Sequence, residues 1–98
     1  MKTFTLKAEN LTDWKSFHNE FKNILGFPDY YGENMNAWID CVDELTEDEQ
    51  AVIHIEKGKL MRETAPEILD AFLECSAFVN YRKIEAGENP SLLVSLGF

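Results

Sequence analysis

The side chains with the widest chemical repertoire in this 98-residue chain are two histidines, His18 and His54, and two cysteines, Cys41 and Cys75. A thiol nucleophile needs a base held against it and surroundings that favour the thiolate. Neither histidine neighbours a cysteine or serine in a recognisable nucleophile motif, and His54 falls inside an apolar run. Both cysteines fall on apolar helical faces, where a free thiol behaves as a small buried hydrophobe. Metal ligation would need a close cysteine pair, a histidine pair or a calcium-loop pattern, and none is present. The five glycines are too scattered to cradle a phosphate. The residue types therefore predict no catalysis, no metal and no cofactor. An enzyme reading would require the fold to bring His18 or His54 against Cys41.

The carboxylates carry a clearer signal. Eighteen acids oppose nine bases, for a formal net charge of −9, which disfavours nucleic acid and anionic membrane surfaces and favours a basic partner. No Lys or Arg lies between Lys22 and Lys57, whereas Asp29, Glu33, Asp40, Asp43, Glu44, Glu47, Asp48, Glu49 and Glu56 all do. Half of the acids thus occupy one base-free third of the chain. Asn36 and Asp40 are four residues apart and Asp43 three further on, a spacing that places them on one helical face with no base of the same helix to neutralise it. Tyr30 and Tyr31, just before that face, are large amphipathic side chains of the kind enriched at interface hot spots; either could instead pack on the core.

These groups have to be positioned by local structure. Alternation over Lys2–Lys7 predicts a strand. Trp14, Phe17, Phe21, Ile24 and Leu25 recur at helical spacing, with Thr12 as the expected cap, Asp13 in the first turn and Gly26 at the stop. Phe27 to Gly32 reads as a connection, because Pro28 disfavours helix at Phe27 and Gly32 permits unusual backbone angles. A second helix is expected from about Asn34 to Leu45. Its dry face carries Met35, Trp38, Cys41, Val42 and Leu45, and its polar face Asn36, Asp40, Asp43 and Glu44.

Residues 46–50 form a polar link, and Ala51 to Ile55 a strand buried on most sides. Thr64, Pro66 and Glu67 suggest a capping box for a helix running towards Asn80, with Ile68, Leu69, Phe72, Cys75, Ser76 and Val79 facing inward. Gly87, Asn89 and Pro90 then turn the chain into a last strand, Ser91 to Leu96. Strand, helices, strand, helix, strand is the order that crossover connections turn into a parallel sheet. The expected fold class is α/β, a small three-stranded parallel sheet with helices packed mainly on one face. Length and the absence of any linker predict a single domain over residues 1–98. The start lacks the continuous apolar segment of a signal peptide, so a reducing, cytoplasmic setting is expected.

The segment Pro28-Asp29-Tyr30-Tyr31-Gly32-Glu33-Asn34-Met35-Asn36-Ala37-Trp38-Ile39-Asp40-Cys41 resembles the signature of the barstar family. The likeness continues more weakly in the N-terminal strand, the Val/Ile strand and the later helix with Ile68-Leu69-Asp70-Ala71-Phe72-Leu73-Glu74. The resemblance implies inhibition, without turnover, of a basic microbial ribonuclease of the barnase type by a protein that is monomeric when free. It implies that Asp40 enters the enzyme's phosphate-binding site, where its carboxylate stands in for an RNA phosphate. It further implies that Tyr30 packs on the catalytic rim, that Asn34 makes a polar contact, and that Glu74 adds an acidic contact from the later helix. Tyr31, Gly32, Asn36, Ile39, Asp43 and Glu44 complete the expected partner-binding surface, with Asp43 and Glu44 as rim charges that speed encounter. Asn36 stands where the best-known member has an acid, and Ile39 where it has a large aromatic. Those departures leave room for a different toxin, with this chain as its immunity protein, or for a binding module directed at another basic toxin or regulatory partner.

Overall fold

The structure is a computed structural model and describes residues 1–97. Three strands, β1 (Lys2–Lys7), β2 (Ala51–Glu56) and β3 (Leu92–Leu96), form a parallel sheet in the order β1-β2-β3. Four helices connect them: α1 (Trp14–Leu25) and α2 (Met35–Leu45) between β1 and β2, then α3 (Gly58–Thr64) and α4 (Pro66–Glu85) between β2 and β3. Among the described residues, no helix is long and apolar enough to cross a membrane.

The register explains why the helices gather on one side. Phe4, Ile53 and Val94 lie abreast, as do Leu6, Ile55 and Leu96, so period-two alternation puts every bulky apolar side chain of these rows on one face. Thr3, Thr5, His54 and Ser95 point to the other face, and His54 Nδ1 shares a hydrogen bond with Ser95 Oγ across the strands (2.9 Å). Helices cover only the apolar face, as the alternation predicts. At its centre Phe17, Phe21, Trp38 and Phe72, from α1, α2 and α4, pack ring to ring at 4.6–6.5 Å and are fully buried.

Several local expectations need correction. The cap of α1 is Asp13, not Thr12: its carboxylate accepts from Ser16 N (2.7 Å) while Ser16 Oγ accepts from Asp13 N (3.0 Å), a reciprocal box that Thr12 is one residue too early to make. The Thr64–Glu67 capping box does not form. Thr64 ends the unanticipated helix α3 and donates its hydroxyl to Leu60 O, so α4 starts at Pro66 with no side-chain cap. That short helix starts at a glycine, a weak helix former, which masks it in the sequence. Gly58 is there for space: a Cβ would lie 2.9 Å from Leu96 Cβ at the end of β3.

Helix α4 also runs past Asn80 to Glu85. Asn80 is no stop signal; its amide accepts from Ser91 N and Leu92 N and donates to Leu92 O, binding the helix to the start of β3. The turn comes later, at Gly87, with φ of 79°. A buried relay fixes the C-terminal end of α2 nearby: Ser91 Oγ donates to Thr46 Oγ1, which donates to Val42 O.

Candidate interaction surface

The polar face of α2 is built from the loop upward. Asn34 is the N-cap of α2: its Oδ1 accepts from Ala37 N (2.8 Å) and its Nδ2 donates to Gly32 O (3.2 Å). The left-handed residue of the loop is Glu33, at φ of 50°, and not Gly32. Gly32 sits close to the cap instead: a Cβ there would lie 3.3 Å from Asn34 Nδ2, so the amide would have to shift by a few tenths of an ångström to admit one. Both polar ends of the Asn34 amide are thus engaged within the chain.

The two tyrosines separate completely. Tyr31 is 6 % exposed, its ring packs on Phe27 and its hydroxyl bonds with His18 Nδ1, so this expected contact residue belongs to the core. Burial pushes the Tyr31 hydroxyl far above its ordinary range and holds the His18 imidazole below its usual value, with Glu33 pulling the histidine weakly the other way. Tyr30 is 84 % exposed and stands over two shallow grooves. One, of about 170 Å³, runs from Pro28 past Tyr30 to Asp40, Cys41 and Glu44; the other, of about 340 Å³, passes Lys2, Cys41, Glu44 and Asp48.

On α2 itself, Asn36, Asp40 and Glu44 are exposed, whereas Ile39 is half-buried and packs against the core, which limits what it offers to a partner. Glu74 is exposed on α4 and makes no ion pair among the described residues. Cys41 lines both grooves, but neither includes a histidine, and burial with Glu44 and Asp40 nearby pushes its thiol up, the direction opposite to activation. His18 and His54 bond instead to Tyr31 and Ser95.

Sequence reasoning missed the cations. Arg82 and Lys83, near the end of α4, reach the polar face of α2. Arg82 Nη1 lies 3.9 Å from Asp40 Oδ1, Arg82 Nη2 3.8 Å from Asp43 Oδ2, and Lys83 Nζ 3.4 Å from Asp43 Oδ1 and 4.0 Å from Glu88 Oε2. Asp43 is only 28 % exposed and the Lys83 side chain 11 %, so Asp43 is a structural partner for a mostly buried lysine and not a free rim charge. Asp40 remains 77 % exposed. Nothing in helix spacing could have revealed this, because the cations lie about forty residues away along the chain.

What remains is an exposed carboxylate, Asp40, with an exposed tyrosine lining the same groove and a guanidinium at 3.9 Å. The family model Barstar (barnase inhibitor) matches residues 1–94. The chain belongs to the barstar family. No individual curated protein matches it. Tyr30, Tyr31, Gly32 and Asp40 line one groove, where Tyr30 and Asp40 are largely exposed and Asp40 holds only the Arg82 contact; Asn34 is a cap and Tyr31 is core.

Proposed function

We propose that the protein inhibits a barnase-type ribonuclease by plugging its basic active site, with the Asp40 carboxylate in the place of an RNA phosphate and Tyr30 packed at its side. Asp40 carries this reading: it is a carboxylate that α2 holds outward in the same groove as Tyr30, the most exposed large aromatic among the described residues. Glu44 is a rim charge on the same face that speeds encounter with a basic partner more than it holds it, and Glu74 adds an acidic contact from α4. The chain acts as one inhibitory domain in the cytoplasm of the cell that makes the ribonuclease, as its immunity protein.

The energetics follow from desolvation. A carboxylate sealed against several cations leaves them buried and unpaired when it is truncated, a loss of about 2–5 kcal/mol that appears mainly in the dissociation rate. The barnase–barstar pair is itself one of the systems from which that general figure is taken, so the magnitude is carried over from the family.

The test is RNA cleavage by a barnase-type ribonuclease, and by any ribonuclease encoded beside this gene, with stoichiometric wild-type protein or Asp40→Ala. Inhibition by the wild type that Asp40→Ala loses, with circular dichroism showing both folded, supports the reading. Absence of inhibition by folded wild-type protein overturns it in favour of a different basic partner, the second reading, to which exposed Asn36 and half-buried Ile39 point because they depart from the family's usual contacts.

A further inference from the structure

Among the described residues, Arg82 is the one cation within ion-pairing distance of Asp40, the side chain on which the proposed function rests. The pair is loose. Its 3.9 Å separation and the 3.8 Å separation from Asp43 are both at the outer limit of an ion pair, and the Arg82 side chain is itself half-exposed. Contacts of this kind contribute little to stability, because water screens them and long side chains lose freedom in making them. Asp43 does not depend on Arg82 for neutralisation, since Lys83 lies closer, at 3.4 Å. The guanidinium also lies 5.8 Å from the centre of the Phe78 ring, so it has a second resting place when it leaves Asp40.

From this arrangement we infer that Arg82 is a specificity filter, an internal cation that occupies the Asp40 carboxylate in the free protein and must be exchanged for the cations of the partner. The inference rests on the proposed role of Asp40. Exchange sets a threshold. A partner that brings one cation merely replaces Arg82 and gains little, whereas one that converges two or more cations on a single point, as a phosphate-binding pocket does, gains the difference. Arg82 thereby disfavours weakly basic surfaces that a bare −9 protein would attract without discrimination. Once displaced, it stays at the edge of the interface against Asp43 and Phe78, where it fits a partner with a carboxylate beside its basic pocket.

The experiment measures association and dissociation rates with a barnase-type ribonuclease for wild type, Arg82→Gln, Arg82→Lys and Lys59→Gln, and for Asp40→Asn alone and combined with Arg82→Gln. Lys59→Gln is the control for net charge: Lys59 follows Gly58, which abuts Leu96 at the end of β3, whereas Arg82 follows by two residues Asn80, which is bonded to the start of that strand. At low ionic strength Arg82→Gln is expected to associate about threefold or more faster than Lys59→Gln and to bind more tightly, with Arg82→Lys close to wild type. The gain should vanish in the Asp40→Asn background and in high salt, and the unfolding midpoint should not move. Equal rates for Arg82→Gln and Lys59→Gln, or a gain that survives Asp40→Asn, overturn the filter while leaving the inhibitor reading intact. Weaker binding by Arg82→Gln also overturns it and makes Arg82 a direct contact. If wild-type protein does not bind at all, the proposed function fails and the filter fails with it.

Discussion

Asp40 and Asp43 are three residues apart on one helix, yet the environment gives them different work. Asp40 is largely open to water and holds only the loose Arg82 contact, whereas Asp43 is mostly covered and faces the mostly buried Lys83 side chain. Removing a carboxylate from a mostly buried lysine leaves the cation underpaired, which costs more than the pair contributed. Asp43→Asn is therefore expected to destabilise the fold by about 1–2 kcal/mol in urea denaturation, discounted for the remaining exposure and for the Glu88 contact with Lys83. Asp40→Asn should leave stability within about 0.5 kcal/mol. Equal stability of the two variants would show that Lys83 finds adequate partners without Asp43.

Helix α2 is the element that carries the surface, and its first turn shows how one residue serves loop and helix together. Asn34 satisfies an orphan N–H of the helix through Oδ1 and ties down the Tyr-Tyr-Gly loop through Nδ2. The resemblance implies a partner contact for Asn34; the structure shows its exposed amide also serving the scaffold. Replacing Asn34 with Ala should lower stability by about 1 kcal/mol, whereas Asp, which can still accept from Ala37 N, should retain most of it. Thermal unfolding of the two variants checks this, and an Asp variant as unstable as the Ala variant would move the importance of Asn34 from the cap to the loop. The helix was legible because Met35, Trp38, Val42 and Leu45 repeat at helical spacing, and its ends because Asn34 and Thr46 flank that repeat. Helix α3 was not legible: seven residues carry too few turns for a period to emerge, and a glycine begins it.

Across the whole molecule, one buried titratable pair links the α1 helix to the interaction loop. His18 is buried against Tyr31, and burial holds its pKa below the ordinary 6.5. The unfolded chain therefore binds a proton at this position more readily than the folded one. The stability linked to neutral His18 is fully present above the unfolded value near 6.5 and is lost as pH falls from there through the lower folded value. Denaturation midpoints are expected to fall on acidification below about pH 6.5, before the carboxylates titrate, and His18→Gln should flatten the curve in that window. A profile for His18→Gln parallel to wild type would assign the acid sensitivity to other groups.

Periodicity along the sequence determined the α/β class, the three strands, the inward arcs of the principal helices and the acidic face of α2, because each is set by neighbours within a few residues. Two features of the candidate surface lay beyond its reach. Adjacent tyrosines in a loop carry no period, so only packing against Phe27 and His18 decided that Tyr31 turns inward and Tyr30 outward. The approach of Arg82 and Lys83 to Asp40 and Asp43 depends on how far α4 extends and where Asn80 moors it to β3. Charge balance on a surface is a sum over everything within a few ångströms in space, and that sum is fixed only when helices from distant parts of the chain come together.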